Sequence, residues 1–158
     1  MLESDTIYGF FDGAEKDGNC GSGMILRIYD SHSFKLRMGV GSGTNTFFEL
    51  LALWGILWFT IYIYIYSLSF YFGESNVIID WAKGLTNLQS LSYDCWLKRI
   101  GLLKNCFLSL SFGHLYREFN SDADNLSNLA IGDCPGILHL ICKYSNRIMI
   151  TEGRFTCF

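Results

Sequence analysis

Apolar positions fall into blocks whose spacing changes along the chain. Residues 7–11 (IYGFF), 21–29 and 34–40 have the apolar, β-branched and aromatic content of strands. Asp30-Ser31-His32-Ser33 reads as the turn between the last two. Thr44-Asn45 then offer side chains that can satisfy free amides of a first helical turn. The helix they open is expected to run to about residue 59, because Leu50, Leu53, Ile56 and Leu57 recur at helical spacing. From Ile61 the pattern becomes Ile-Tyr-Ile-Tyr-Ile-Tyr, a period of two, and predicts a strand that ends near Gly73. Ser75 opens a helix to about residue 83, and a further helix covers about 93–104. Residues 106–115 alternate as a strand, and residues 121–130 read as a helix with Gly132 just beyond its end. After Pro135 the pattern is lost. The expected organisation is one domain over residues 5–132, followed by a tail of uncertain structure over 133–158.

The middle block permits a second reading. The 24 residues between Glu49 and Glu74 carry no charge, and about 20 apolar residues suffice for a membrane span. A membrane-anchored fragment crossing over about residues 50–72 is therefore an alternative. The mid-run change of period favours a helix followed by a strand, and no Lys or Arg cluster flanks the run to orient it. No membrane contact is expected on that ground. Apolar residues make up 50% of the chain, which excludes a disordered polymer. The net charge of −3 excludes a basic arm that grips nucleic acid by bulk charge, so such binding would need local geometry. The six cysteines form no C-x-x-C pair, and the first five residues carry two acids and no base, unlike a secretory leader. The thiols are read as small core hydrophobes, and the chain as intracellular, nuclear or cytoplasmic.

Four carboxylates occupy suggestive positions. Asp12 follows an apolar strand, Glu49 interrupts an apolar helix face, Glu74 ends an apolar strand, and Asp124 lies near a helix start. A carboxylate at the end of a buried strand is desolvated, which is costly unless a cation or hydrogen bonds compensate. Converging, the four would suit a hard divalent ion. Taken singly, each also reads as a turn former, a snorkelling side chain or a charge favoured at a helix start. Trp81 and Trp96 read as core or helix-packing residues, and Lys98, Arg99 and Lys104 as a solvated basic face that is also the best candidate for contact with a nucleic-acid backbone.

Four stretches carry a resemblance. They are FFDGAEKDGNCGSGMIL, GSGTNTFFELLAL, FGESNVIIDWAKG and HLYREFNSDADNLSNLA. In order and spacing they resemble a ribonuclease H type 1 domain of the plant retrotransposon-derived, reverse-transcriptase-like kind. The similarity spans about residues 7–131. It implies an α/β ribonuclease H-like fold, with a five-stranded mixed sheet of order 3-2-1-4-5 flanked by helices. The implied activity is endonucleolytic hydrolysis of the RNA strand of RNA/DNA hybrids with two Mg²⁺ ions, Mn²⁺ being able to substitute. The resemblance implies metal ligation by Asp12, Glu49, Glu74 and Asp124, with His114 near the departing phosphate. It implies nucleic-acid contacts at Gly13, Ala14, Thr44, Asn45 and Asn76. The implied partner is the hybrid, with no protein partner identifiable, and the implied state is a monomer.

The chain departs from the family pattern in three places. Glu74 stands where the family has aspartate, which adds a methylene at a site with strict geometry and predicts reduced activity. Asp80 is a poor substitute because it lies mid-helix. Phe48 replaces a small residue beside Glu49, and the connector FTIYIYIYSLSF is apolar where the family is polar. These departures keep open a second function, a catalytically silent hybrid-binding module or degenerate transposon remnant. A larger parent polyprotein is also an expectation.

Overall fold

The computed structural model describes residues 6–29, 31–65, 69–88 and 92–154. The chain opens with three antiparallel strands, β1 (Ile7–Lys16), β2 (Asn19–Tyr29) and β3 (His32–Gly41). Helix α1 (Asn45–Tyr62) leads to β4 (Ser69–Gly73), which pairs parallel to β1. Helices α2 (Asn76–Ala82) and α3 (Asp94–Lys104) follow, and then β5 (Leu110–His114), parallel to β4. One turn of 3₁₀ helix (Arg117–Phe119) precedes α4 (Ser121–Ala130). The chain continues into a hairpin, β6 (Ile137–Tyr144) and β7 (Arg147–Arg154).

The expected strand order 3-2-1-4-5 is present, but beyond β3 it is extended by two further strands into a seven-stranded sheet, β5-β4-β1-β2-β3-β6-β7. Expecting five strands left out the last two. β3 would otherwise be an edge with free main-chain donors and acceptors, and β6 satisfies them in antiparallel register from His32↔Tyr144 to Met38↔Leu138. The segment without legible pattern is thus paired chain. Its alternation was unreadable because only Leu138 and Gly136 of that stretch are buried, the rest of its described residues being half-buried or exposed.

Helix α1 is the core of the molecule. Thr44 caps it, its side chain accepting the Phe47 N–H. Leu50 through Leu57 are all buried, because β1 and β2 cover one side and α3 the other. Gly55 lets the helix close on the sheet, since an ideal Cβ there would lie 2.6 Å from Met24 Sδ. By length and composition α1 could cross a membrane, yet 61% of its apolar window is buried within the fold. The helix also runs three residues past the expected end. Thr60 donates its hydroxyl back to the Ile56 carbonyl, and Tyr62 stacks on Trp58. Tyr64, at φ 63°, then breaks the run. The first part of the Ile-Tyr repeat is therefore helix and turn, Tyr66–Leu68 lie outside the described residues, and the strand begins at Ser69. The strand expected over 106–115 is confined to Leu110–His114.

Glycines in β2 place α4. An ideal Cβ on Gly23 would lie 2.4 Å from the Ala123 carbonyl oxygen and 2.5 Å from the Ser127 nitrogen, so the helix backbone lies directly on the strand. Gly23 is the register partner of Asp12. Its missing side chain thus brings the first turn of α4 beside Asp12.

Candidate active site

Asp12 lies inside β1 rather than after it, because the strand continues through Lys16 to the Asp17-Gly18 turn. Glu74 directly follows β4, the parallel neighbour of β1. Glu49 lies in the first turns of α1 and Asp124 in the first turn of α4. Four elements from distant parts of the chain therefore converge at one end of the sheet. One ligand oxygen from each of Asp12, Glu74 and Asp124 lies within 4.8 Å of the others. Glu49 is outside this tight trio but lines the same cleft, of about 510 Å³, with Gly13, Ala14, Asn45, Phe48 and Arg117.

The cleft is electrostatically loaded. Asp12 is only 3% exposed. Its Oδ1 accepts the Gly13 N–H at 2.9 Å, whereas its Oδ2 is buried without a hydrogen-bond partner. Glu49 Oε2 is likewise buried and unpartnered. Burial first, and then the Glu49 and Glu74 charges, push the Asp12 carboxyl well above its ordinary range. Burial also raises Glu49, against the lowering influence of Asp12, the Gly13 N–H and Arg117. Clustered carboxylates with orphaned buried oxygens form an incomplete ensemble. An all-oxygen donor set of this kind fits a hard divalent cation such as Mg²⁺.

Glu74 has partners of its own. Its Oε2 accepts from Asn120 Nδ2 at 3.1 Å, and the same amide donates to the Phe11 carbonyl at 3.1 Å. Its Oε1 lies 3.5 Å from Arg117 Nε. Reasoning from sequence assigned no role to Arg117 or Asn120, although both lie in the stretch HLYREFNSDADNLSNLA. The signal was the position of Asn120 immediately before a helix and four residues before Asp124.

Of the sequence-predicted site residues, Asp12, Gly13, Ala14, Asn45, Glu49, Glu74 and Asp124 line the cleft. Thr44, Asn76 and His114 do not appear among its lining residues. Thr44 caps α1 and meets the Tyr93 hydroxyl at 2.6 Å. Asn76 is the exposed first residue of α2. His114 ends β5 opposite Gly73 with its ring against Tyr116. Asp80 is mid-helix and outside the cleft, as expected.

The fold is shared with solved ribonuclease H structures. RNase H1 from the halophilic archaeon Halobacterium salinarum NRC-1 superposes with a TM-score of 0.74 at 23% identity, over 82% of this chain and 99% of that one. The N-terminal RNase H domain of rv2228c from Mycobacterium tuberculosis gives 0.75 at 18% identity, over 80% and 93%. LC11-RNase H1, solved in complex with an RNA/DNA hybrid, gives 0.72 at 22% identity, over 79% and 96%. No curated protein sequence matches the chain. A family model described as reverse transcriptase-like matches residues 10–130, well over half the length. With its ribonuclease H fold and its acidic cleft inside that matched span, the chain belongs to the reverse transcriptase-like family.

Proposed function

We propose that this protein is a divalent-metal-dependent endonuclease that hydrolyses the RNA strand of RNA/DNA hybrids. One observation carries the reading. Oxygens of Asp12, Glu74 and Asp124 lie within 4.8 Å of one another, with Asp12 Oδ2 and Glu49 Oε2 buried and unpartnered beside them. Such a group is unstable as three or four free anions and stable as a cation cage. Asp12, Glu74 and Asp124 would hold one ion, and Glu49 beside Asp12 would complete the place of a second. Bound Mg²⁺, or Mn²⁺ in its stead, supplies an activated water and charge relief on the attacking and leaving oxygens of a phosphodiester.

The remaining residues bind and orient. Gly13 and Ala14 form one wall of the cleft, where small side chains let a backbone approach closely. Asn45 opens α1 on another wall, and Thr44 beside it presents a helix start to a phosphate. Asn76 and His114 stand at the ends of neighbouring elements; in this reading Asn76 reaches the minor groove and His114 serves the departing phosphate. The 2′-hydroxyls along a hybrid's wide minor groove distinguish its RNA strand. The solved hybrid complex of LC11-RNase H1, which shares this fold, supports that substrate class.

The test is incubation of the full chain with a labelled hybrid. The expected result is Mg²⁺-dependent cleavage of the RNA strand alone, stopped by EDTA and lost in Asp12→Asn. Glu74 favours one rival, a silent hybrid-binding module, because its extra methylene shifts a carboxylate in a site that tolerates little displacement. Hybrid binding with no cleavage, in both the natural chain and Glu74→Asp, would establish the rival and overturn the nuclease.

A further inference from the structure

Glutamate at position 74 raises a geometric question. Its side chain has one more rotatable bond than aspartate, so its carboxylate can swing farther from the strand end. Yet one of its oxygens lies within 4.8 Å of the ligand oxygens of Asp12 and Asp124. Something holds it there.

We infer that Asn120 is the positioning residue that holds the longer Glu74 side chain in the metal-binding cleft. The inference rests on the metal-dependent reading of the cleft and deepens it. Asn120 is 2% exposed and lies immediately before α4. Its Nδ2 divides between two acceptors, the Phe11 carbonyl of β1 and Glu74 Oε2 beyond β4, each at 3.1 Å. Its main chain is fixed as well. Its N–H donates to the Arg117 carbonyl at 3.0 Å, and its carbonyl accepts the Asp124 N–H at 3.0 Å. One residue thus ties the strand that carries Asp12 and the side chain of Glu74, through its amide, to the helical turn that carries Asp124, through its main chain.

The orientation of the amide is dictated by its partners. Phe11 O and Glu74 Oε2 only accept, so the donating nitrogen must face them. Asn120 Oδ1 is consequently buried without a partner. A buried unpartnered oxygen is unfavourable, so the amide is retained at a cost for what its nitrogen does. Arg117 is the weaker holder, being 80% exposed with its Nε 3.5 Å from Glu74. Aspartate at position 74 would carry its carboxylate one methylene nearer the strand, so the 3.1 Å bond from Asn120 is a contact of the glutamate side chain.

The test uses four full-length proteins: the natural chain, Asn120→Ser, Glu74→Asp and the double variant. The Asn120 side chain makes no capping bond to α4, and serine keeps a small polar residue there while removing the amide that meets Glu74. Mg²⁺ affinity is read by calorimetry, and folding stability is read by urea denaturation in EDTA. Asn120→Ser is expected to weaken Mg²⁺ binding about tenfold in the natural chain and by less than about threefold in the Glu74→Asp background, as for a charge-assisted hydrogen bond lost only in the first case. The stability cycle in EDTA is expected to show the same sign of coupling without metal. Equal effects of Asn120→Ser in both backgrounds, in both measurements, would overturn the inference and leave Asn120 a merely structural cap. Should Asn120→Ser fail to fold, Asn120→Asp keeps the shape and turns the donor into an acceptor. A carboxylate at position 120 repels Glu74, so this variant is expected to destabilise the natural chain in EDTA more than the Glu74→Asp background, and equal destabilisation would likewise overturn the clamp. A natural chain that binds no Mg²⁺ but retains the coupling in EDTA would sink the metal reading and spare the clamp.

Discussion

Asp12→Asn should make the metal-free protein more stable while removing its response to Mg²⁺. The ligand oxygens of Asp12, Glu74 and Asp124 lie within 4.8 Å. Two unit charges at that separation repel by about 3.5 kcal/mol at an effective dielectric of 20. Burial disfavours the ionised form of Asp12 most, and the Glu49 and Glu74 charges add to it, so the metal-free chain takes up a proton instead. Holding a carboxylate protonated at pH 7 costs about 4 kcal/mol, at 1.36 kcal/mol for each unit above an ordinary value near 3.9. Asparagine removes that cost, less the imperfect pairing of its new amide in a site 3% exposed, leaving a gain of about 2–4 kcal/mol. For a chain of this size the gain corresponds to roughly 5–15 °C in Tm. The direction with pH follows from the raised Asp12 carboxyl. A folded-state pKa above the unfolded one contributes stability below the unfolded value, and that contribution is lost as pH rises towards the folded value. The natural chain in EDTA should therefore lose Tm from about pH 4 upward, relative to Asp12→Asn, with no difference at lower pH. Mg²⁺ at neutral pH should restore the natural chain and leave the variant unchanged. Thermal unfolding followed by circular dichroism between about pH 3 and 8 reads all of this. An Asp12→Asn protein no more stable than the natural chain in EDTA at pH 7, or an equal Mg²⁺ gain in both, would refute the reasoning.

Three further outcomes follow from the packing. Gly23→Val should destabilise the chain by about 1–3 kcal/mol through overpacking, because its side chain meets the α4 backbone at Ala123 and Ser127. It should also weaken Mg²⁺ binding by displacing Asp124, and unchanged urea denaturation and calorimetry would contradict the placement of α4. Thr60→Val should cost about 1 kcal/mol, because the buried Tyr71 hydroxyl loses its 2.9 Å bond to Thr60 Oγ1; an unchanged urea midpoint would count against that bond. Truncation after Pro135 removes β6 and β7 and should cost at least about 2 kcal/mol from Leu138 burial alone, while Mg²⁺ affinity persists because all four carboxylates precede residue 125. Loss of affinity in a truncated chain that still folds would place the hairpin in the site.

Much of the inner fold was legible because its signals are local. The Thr44 cap, the helical spacing of Leu50 to Leu57 and the apolar stretch before Glu74 each depend on near neighbours in sequence. The four acidic positions and their surrounding motifs were legible for the same reason. The end of α1 was misread because Ile-Tyr alternation suits a strand, while Tyr62 stacking on Trp58 continues the helix. The β6–β7 hairpin was invisible because its pairing partner is β3, about a hundred residues earlier, and its exposed faces leave no alternation to read. Within the site, residue identity could name the candidate carboxylates but not their separations. Only the tertiary structure decided that Asp12, Glu74 and Asp124 form the tight trio with Glu49 beside it. It also decided that Asn120 joins Phe11 to Glu74 across 109 and 46 positions. Secondary structure follows from periodicity and caps along the chain, whereas the electrostatics of a cleft depend on distances set by sheet register and by where a glycine lets a helix settle.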